Sequence, residues 1–303
     1  MSKKFSAWPG EGSAGPTLGL EMIDLHTHTT VSDGTDSPAE LVAAAAAAGV
    51  TTLALTDHDT TGGWASAAEA ALRHGVDLVR GVEVSCSHHG VSVHLLGYLV
   101  DPTHEELAAE LSLAREGRHG RLQRMVDLLA ADGVPITIED VRAQLGVDAT
   151  PGRPHIADAL VANGVVRDRD EAFATFLAGG SPYYVPHYAP DPVRAVELVV
   201  AAGGVAVMAH PFAGRRGRTV DDDVIAAMAA AGMTGLEVDH RDHDPAERAH
   251  GLGLARELGL VVTGSSDYHG TGKLNRLAEN TTVPEALEAL EAAATSDTRV
   301  VRA

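Results

Sequence analysis

Two histidines two residues apart, His26 and His28, close an apolar run that starts Met22-Ile23-Asp24-Leu25. In an extended strand a period of two puts both imidazoles on one face, with Ile23 and Leu25 on the other, so both rings can serve one ion. A lone His-X-His pair is weak evidence, because a core histidine beside an exposed one leaves the same pattern. Here the event recurs. Thr56-Asp57-His58-Asp59 ends a second β-rich run, Glu83 lies in Gly81-Val82-Glu83-Val84, and His94 lies within Val91–Leu95. Ala209-His210-Pro211 ends another run, and Ser265-Ser266-Asp267-Tyr268-His269 follows Leu260–Gly264. This is a donor set of nitrogen and oxygen only, which suits manganese, iron or zinc and does not choose among them.

Residues so far apart in the chain must be gathered by the fold. From Met22 onward, β-rich runs (22–28, 50–56, 77–85) alternate with Ala-rich helical stretches (38–48, 64–74), the rhythm of parallel βα units. After a further strand at 91–100 the rhythm stops, and residues 103–190 read mainly as helices broken by Gly and Pro. Helices at 192–202, 221–231 and 245–258 then alternate with strands at 205–209, 235–239 and 260–264. The expectation is an α/β barrel formed by 21–102 and 191–303, interrupted by an inserted, mainly helical substrate-binding subdomain at 103–190. In such barrels the C-terminal strand ends converge on one rim, where the ligand-type residues would meet.

The ordered set His26-Thr27-His28, Asp33, Thr56-Asp57-His58-Asp59, Gly81-Val82-Glu83, His94, Ala209-His210-Pro211 and Ser266-Asp267-Tyr268-His269 resembles the polymerase and histidinol phosphatase (PHP) superfamily of metal-dependent phosphoesterases. The resemblance covers nearly the whole chain after residue 21. It implies a distorted seven-stranded (βα) barrel, TIM-like, and two to three divalent metal ions. Carried over position by position, it implies His26, His28, Glu83 and Asp267 around one metal. Glu83 would bridge to a second metal held by His94 and His210, and Asp33, His58 and His269 would hold a third. Three divalent ions bring about +6 of charge against about −3 from Asp33, Glu83 and Asp267, leaving a pocket near +3 for a phosphate dianion. Adjacent ions also lower the pKa of a water enough to make hydroxide at neutral pH, so no protein nucleophile is needed.

Other positions are candidates for supporting roles. Asp24, Asp57 and Asp59 are placed to fix imidazole tautomers, Asp59 being counted with the catalytic residues. His240 and His243 follow another barrel strand and are candidates to touch substrate or protonate the leaving group. Within the superfamily, a long insertion between the strands carrying His94 and His210 resembles the branch that acts on nucleotides. In the insert, Thr150-Pro151-Gly152-Arg153-Pro154-His155 opens a helix, so Arg153 and His155 are candidates for holding a second phosphate. Lys273 ranks before any member of the cluster Arg215, Arg216 and Arg218, since an Arg-rich loop is usually a solvated turn.

The leading expectation is a phosphomonoesterase that removes the 3′-phosphate of a nucleoside 3′,5′-bisphosphate by metal-activated hydroxide. Alternatives are a 5′-nucleotidase on AMP-like monophosphates and a 5′-3′ exonuclease on short RNA. Histidinol phosphate, a non-catalytic metal-binding module and a C–N-cleaving amidohydrolase rank lower, the last for want of a strand-end lysine. Histidine (16) outnumbers Phe, Tyr and Trp together (4, 5 and 2), in keeping with a chemical use for imidazole. Lys plus Arg total 23 against 42 Asp plus Glu, a formal charge of −19, which argues against a stable nucleic-acid partner held by general electrostatics. A small-molecule nucleotide or a short RNA remains open, because a metal cluster reverses the field locally. The single cysteine, Cys86, fits a reducing cytoplasm; no apolar stretch is long enough to span a membrane, and residues 1–20 read as a flexible extension.

Overall fold

In a computed structural model that describes residues 21–146 and 148–303, seven strands form one sheet in sequence order. The expected flexible extension at 1–20 lies outside the described residues. The strands are β1 (Ile23–Asp24), β2 (Thr52–Leu55), β3 (Asp77–His88), β4 (Val91–Tyr98), β5 (Val205–Met208), β6 (Gly235–Asp239) and β7 (Val261–Gly264). Bridges from Thr27 to Tyr268 and from Ile23 to Thr282 tie the first strand back to the last, so the sheet nearly closes into a seven-stranded α/β barrel. Around it pack α1 (Pro38–Ala48), α2 (Trp64–His74), α7 (Pro192–Ala201), α8 (Asp222–Ala230), α9 (Pro245–Leu258) and α10 (Pro284–Ala293). Their local signals are plain. Ser37 and Glu40 form a reciprocal cap on α1, Asp244 and Glu247 do the same on α9, and left-handed Gly49 and Gly259 end those helices.

Two local expectations change. β4 runs antiparallel to both β3 and β5, because His89 (φ 48°) and Gly90 (φ 79°) make a two-residue turn with both central residues left-handed. Such a turn closes a hairpin, whereas parallel pairing would need a crossover of a dozen residues or more. The regular part of β1 is also only Ile23–Asp24, not 22–28. Beyond it the Thr27 N–H donates to the Thr56 hydroxyl (3.2 Å) instead of a ladder carbonyl, and Thr56 returns its N–H to the Thr27 carbonyl (3.0 Å). The ladder gives way where the ligand-type side chains begin.

Between β4 and β5 lie α3 (Glu105–Ala131), α4 (Ile138–Arg142), α5 (Arg153–Ala162), α6 (Arg169–Ala172) and a π-helical turn (Phe173–Leu177). These bury an apolar cluster of their own, including Leu122, Met125, Leu129, Ile156, Leu160 and Leu177, separate from the clusters that line the barrel strands. α3 belongs to both: its Leu107 and Leu111 pack with the barrel, and its second half packs in the helical cluster.

Candidate functional site

All nine ligand-type residues meet at one rim of the barrel, nearly all of them buried. His26 Nε2 and His28 Nε2 stand 3.1 Å apart, and Glu83 Oε2 lies 3.2 Å from the first and 3.0 Å from the second. Glu83 Oε2 is also 3.1 Å from His58 Nδ1, while its Oε1 is 2.8 Å from His94 Nδ1 and 3.4 Å from His210 Nε2. Asp267 Oδ1 faces His26, His28 and His269 at 3.4–3.5 Å, and Asp33 Oδ1 lies 3.3 Å from His269 Nε2.

Four overlapping donor groups result: His28, Asp33, His58 and His269; His26, Glu83 and His210; His26, His28 and Asp267; His58, Glu83 and His94. The groups overlap at His26, His28, His58 and Glu83. His28 stands with the Asp33 group as well as with Asp267, and His94 and His210 meet Glu83 in separate groups.

The geometry fits divalent ions. His58 Nδ1, Glu83 Oε1, His94 Nδ1, His210 Nε2 and His269 Nε2 are buried without an aligned hydrogen-bond partner, an expensive arrangement unless lone pairs converge on a cation. Burial by itself would raise the carboxyl groups of Asp33, Glu83 and Asp267. The imidazoles around all three, with Lys273 and Arg216 beside Asp267, overcome it and hold them well below the usual range, as anions. His210 (φ 29°) and Asp267 (φ 53°) adopt left-handed backbone, unusual for residues with side chains and typical of over-determined functional sites.

The supporting residues differ from expectation. Glu237 on β6, not Asp24, faces the His26 ring: its Oε1 lies 3.2 Å from Nδ1, and its Oε2 accepts the His210 N–H at 2.8 Å. Asp24 instead accepts the backbone N–H groups of Ser266 (3.0 Å) and Ala278 (2.8 Å), and burial pushes its carboxyl up to about 6. Asp57 accepts the Ser32 hydroxyl at 2.6 Å, and Ser32 Oγ lies 3.4 Å from His28 Nδ1, so Asp57 reaches that ring through Ser32.

Asp59 accepts from the Ser85 N–H and hydroxyl (both 2.8 Å) and from Arg118 Nε (2.9 Å), so its oxygens are taken up in anchoring Arg118. His243 has both nitrogens engaged by backbone, Nδ1 donating to the Val238 carbonyl (2.8 Å) and Nε2 accepting from the Phe212 N–H (3.2 Å), so neither is turned to the rim. His240 Nδ1 accepts from the Asp242 N–H (3.1 Å), and its Nε2 stands 3.5 Å from Arg216 Nη2 and 3.7 Å from Asp267 Oδ2.

Lys273 Nζ and Arg216 Nη2 both reach that same Asp267 oxygen, at 3.2 and 2.7 Å, so one member of the loop cluster is part of the rim.

The insert brings further cations. Arg121 and Arg153 flank the Tyr184 ring at 5.0 and 5.5 Å, and Arg153 Nη1 donates to the Leu177 carbonyl at 2.8 Å. Burial and Arg153 together pull the Arg121 guanidinium down to about 9. Burial, with Arg118, Arg121 and Arg153 nearby, pulls His187 down to about 3. Arg121 Nε, His187 Nε2 and Thr150 Oγ1 are buried without partners. The start of α5, from which Arg153 projects, borders the metal-type cluster, because a Cβ added at Gly152 would stand 3.6 Å from Arg118 Nη1 and 4.0 Å from Asp33 Oδ2. His155, in contrast, turns its Nδ1 back to the Gly152 N–H (3.0 Å), capping α5.

The PHP domain profile matches residues 24–130. A 3′,5′-nucleoside bisphosphate phosphatase of Chromobacterium violaceum is 40% identical over 85% of this chain and 90% of its own length. The chain belongs to the PHP family. A 5′-3′ exoribonuclease of Haemophilus influenzae is 35% identical over 82% of this chain and 90% of its own. A solved Bifidobacterium adolescentis structure, described by inference as a metal-dependent phosphoesterase, superposes with a TM-score of 0.88 at 41% identity. It covers 91% of this chain and 98% of that one. This PHP protein is therefore a metal-dependent hydrolase of phosphate esters. Among the described residues, no helix is long and apolar enough to cross a membrane.

Glu237, Arg118, Arg121 and His187 were not singled out by sequence reading. Signals existed for the first three. Glu237 is a carboxylate inside an otherwise apolar strand, Gly235-Leu236-Glu237-Val238, and Arg118 and Arg121 fall on the buried stripe of α3 with Ala114, Leu122 and Met125. His187, in an irregular segment, carried none.

Proposed function

We propose that this phosphoesterase removes the 3′-phosphate from a nucleoside 3′,5′-bisphosphate. The observation that carries the reading is the second polar cluster, the guanidinium groups of Arg121 and Arg153 with the neutral His187 and unpaired buried nitrogens, near the nine-residue cluster. A substrate with two phosphates uses both, while a monophosphate leaves the second cluster's polar atoms unpaired. The name of the Chromobacterium relative points the same way.

His26, His28, Asp33, His58, Glu83, His94, His210, Asp267 and His269 would hold two to three divalent ions, with manganese, iron and zinc all compatible with the donors. When bound, such ions supply a water of lowered pKa and neutralise the phosphoryl oxygens. The protein's own groups orient and bind. Glu237 keeps the proton on His26 Nδ1, so that Nε2 offers its lone pair inward. Arg216 and Lys273 hold Asp267 Oδ2, which leaves Oδ1 facing the histidines. Asp59 fixes Arg118, whose Nη1 donates to the Pro151 carbonyl (3.3 Å) and so steadies the start of α5 and Arg153. Residues 103–190 then act as the substrate-binding unit on a barrel of 21–102 and 191–303.

The test is phosphate release from adenosine 3′,5′-bisphosphate, 3′-AMP, 5′-AMP and a 5′-phosphorylated dinucleotide, with manganese-loaded protein, a His26→Ala control and an Arg153→Ala variant. Conversion of the bisphosphate to 5′-AMP is expected, abolished in His26→Ala. In Arg153→Ala, KM should rise about tenfold or more for the bisphosphate and little for 3′-AMP, as loss of one charge-assisted contact implies. Preference for the dinucleotide would favour the short-RNA reading that the exoribonuclease relative suggests, and turnover of 5′-AMP alone would sink the bisphosphate assignment.

A further inference from the structure

We infer that Arg169 is a positioning residue that couples the insert to the two loops carrying Asp33 and His269, and thereby sets the affinity for the ion those residues hold. The inference rests on the metal assignment above. Arg169 opens α6 and makes a fork to Asp158 of α5, with Nε to Oδ1 and Nη2 to Oδ2 both at 2.6 Å. Its third nitrogen, Nη1, donates across the subdomain boundary to the main-chain carbonyl of Asp33 at 3.3 Å.

The same guanidinium lies flat against Gly272, three residues after His269: a Cβ there would come within 2.8 Å of Cζ and closer still to Nη1. The two loops it touches are already laced together. The Thr35 N–H donates to the His269 carbonyl (3.1 Å), and the Thr271 N–H donates to the Thr35 hydroxyl (2.8 Å). Arg169 thus joins α5 and α6 of the insert to two loops of the barrel rim that are remote from them in sequence.

The side chain is only 13% exposed, and its charge is met by Asp158, so it offers no free cation to a phosphate. What it contributes is position. A planar guanidinium can satisfy a bidentate carboxylate and a carbonyl in one plane, which a lysine ammonium cannot. The bare backbone at Gly272 is the complementary half of the device. Its φ is not left-handed, so alanine there strains nothing but the contact with Arg169.

The experiment uses the full chain as wild type, Arg169→Lys and Gly272→Ala, each titrated with Mn2+ against a chelator, with metal content measured after gel filtration and thermal midpoints measured in chelator. The expected result is that one equivalent per chain weakens about tenfold or more in both variants, the size typical of supporting contacts around metal ligands. The remaining equivalents and the metal-free midpoint should stay close to wild type. Unchanged binding of every equivalent overturns the inference, and so does equal weakening of all of them with a lowered midpoint, the mark of a merely structural residue. A wild-type chain that takes up no Mn2+ overturns the metal assignment itself, and this inference with it.

Discussion

Replacing Glu237 by glutamine keeps its size and removes one acceptor, which makes the outcome calculable from two distances. Two donors face the side chain: the His26 ring at Nδ1, 3.2 Å from Oε1, and the His210 N–H, 2.8 Å from Oε2. Burial alone would raise this carboxyl, but His26, His240 and His210 outweigh it and hold it down to about 2, so both oxygens accept. An amide has one oxygen and one NH2. If the NH2 meets His210, two donors oppose each other inside the protein, at about 1–3 kcal/mol. If it meets His26, the ring must accept at Nδ1 and carry its proton on Nε2, the nitrogen that points at His28 and Glu83 and is needed as a ligand. The first orientation keeps the His26 lone pair inward and costs stability; the second should lower the affinity for an ion at the His26 group roughly 10–100-fold, about 1.4–2.8 kcal/mol. Chelator-competition titration with Mn2+ measures the affinity, thermal midpoints in chelator measure the stability, and the ring nitrogen shifts of His26 report the tautomer. Affinity within about twofold of wild type together with an unchanged midpoint would refute the reasoning.

Two further outcomes follow from the insert. His187 sits at about 3 in the folded protein against an ordinary 6.5, chiefly through burial and then the nearby arginines. Its folded value is depressed, so the unfolded chain takes up the proton first. The stability linked to it is fully present above pH 6.5 and is lost as the pH falls toward 3. Thermal midpoints of His187→Gln should therefore decline less between pH 6.5 and 4 than those of wild type, and parallel declines would remove His187 from the account. Leu160 is fully buried in the insert's own cluster, so Leu160→Ala should cost about 2–5 kcal/mol in denaturant melts. Mn2+ affinity at the groups containing Glu83 should hold, and its collapse would show that insert and barrel do not stand apart.

The metal-type residues were legible because their chemistry is carried by residue type and by place. An imidazole or carboxylate at a strand end is visible without knowing which strand pairs with which. The supports were not, because they depend on partners. Asp24 and Glu237 are both carboxylates on strands, and only the folded arrangement turns Glu237 to His26 and Asp24 to the Ser266 and Ala278 N–H groups. His243 looked as reactive as His240 in the loop that holds both, yet the backbone of Phe212 and Val238 consumes it. The antiparallel β4 hid behind an ordinary His-Gly pair whose left-handed angles are a property of the turn. Arg118 and Arg121 were screened by their helix, where a buried arginine reads as a snorkelling surface residue until its counterpart Asp59, or the absence of one for Arg121, is seen.

The 27 residues of α3 form a rod of about 40 Å that is bedded at one end in the barrel through Leu107 and Leu111, and at the other in the insert through Leu122, Met125 and Leu129. Arg118 and Arg121 occupy the stretch between the two beds. In mechanical terms the rod is a beam with two supports, and the arginines stand on the span between them. Their place is therefore fixed by both cores at once, and loosening either bed displaces the same two side chains.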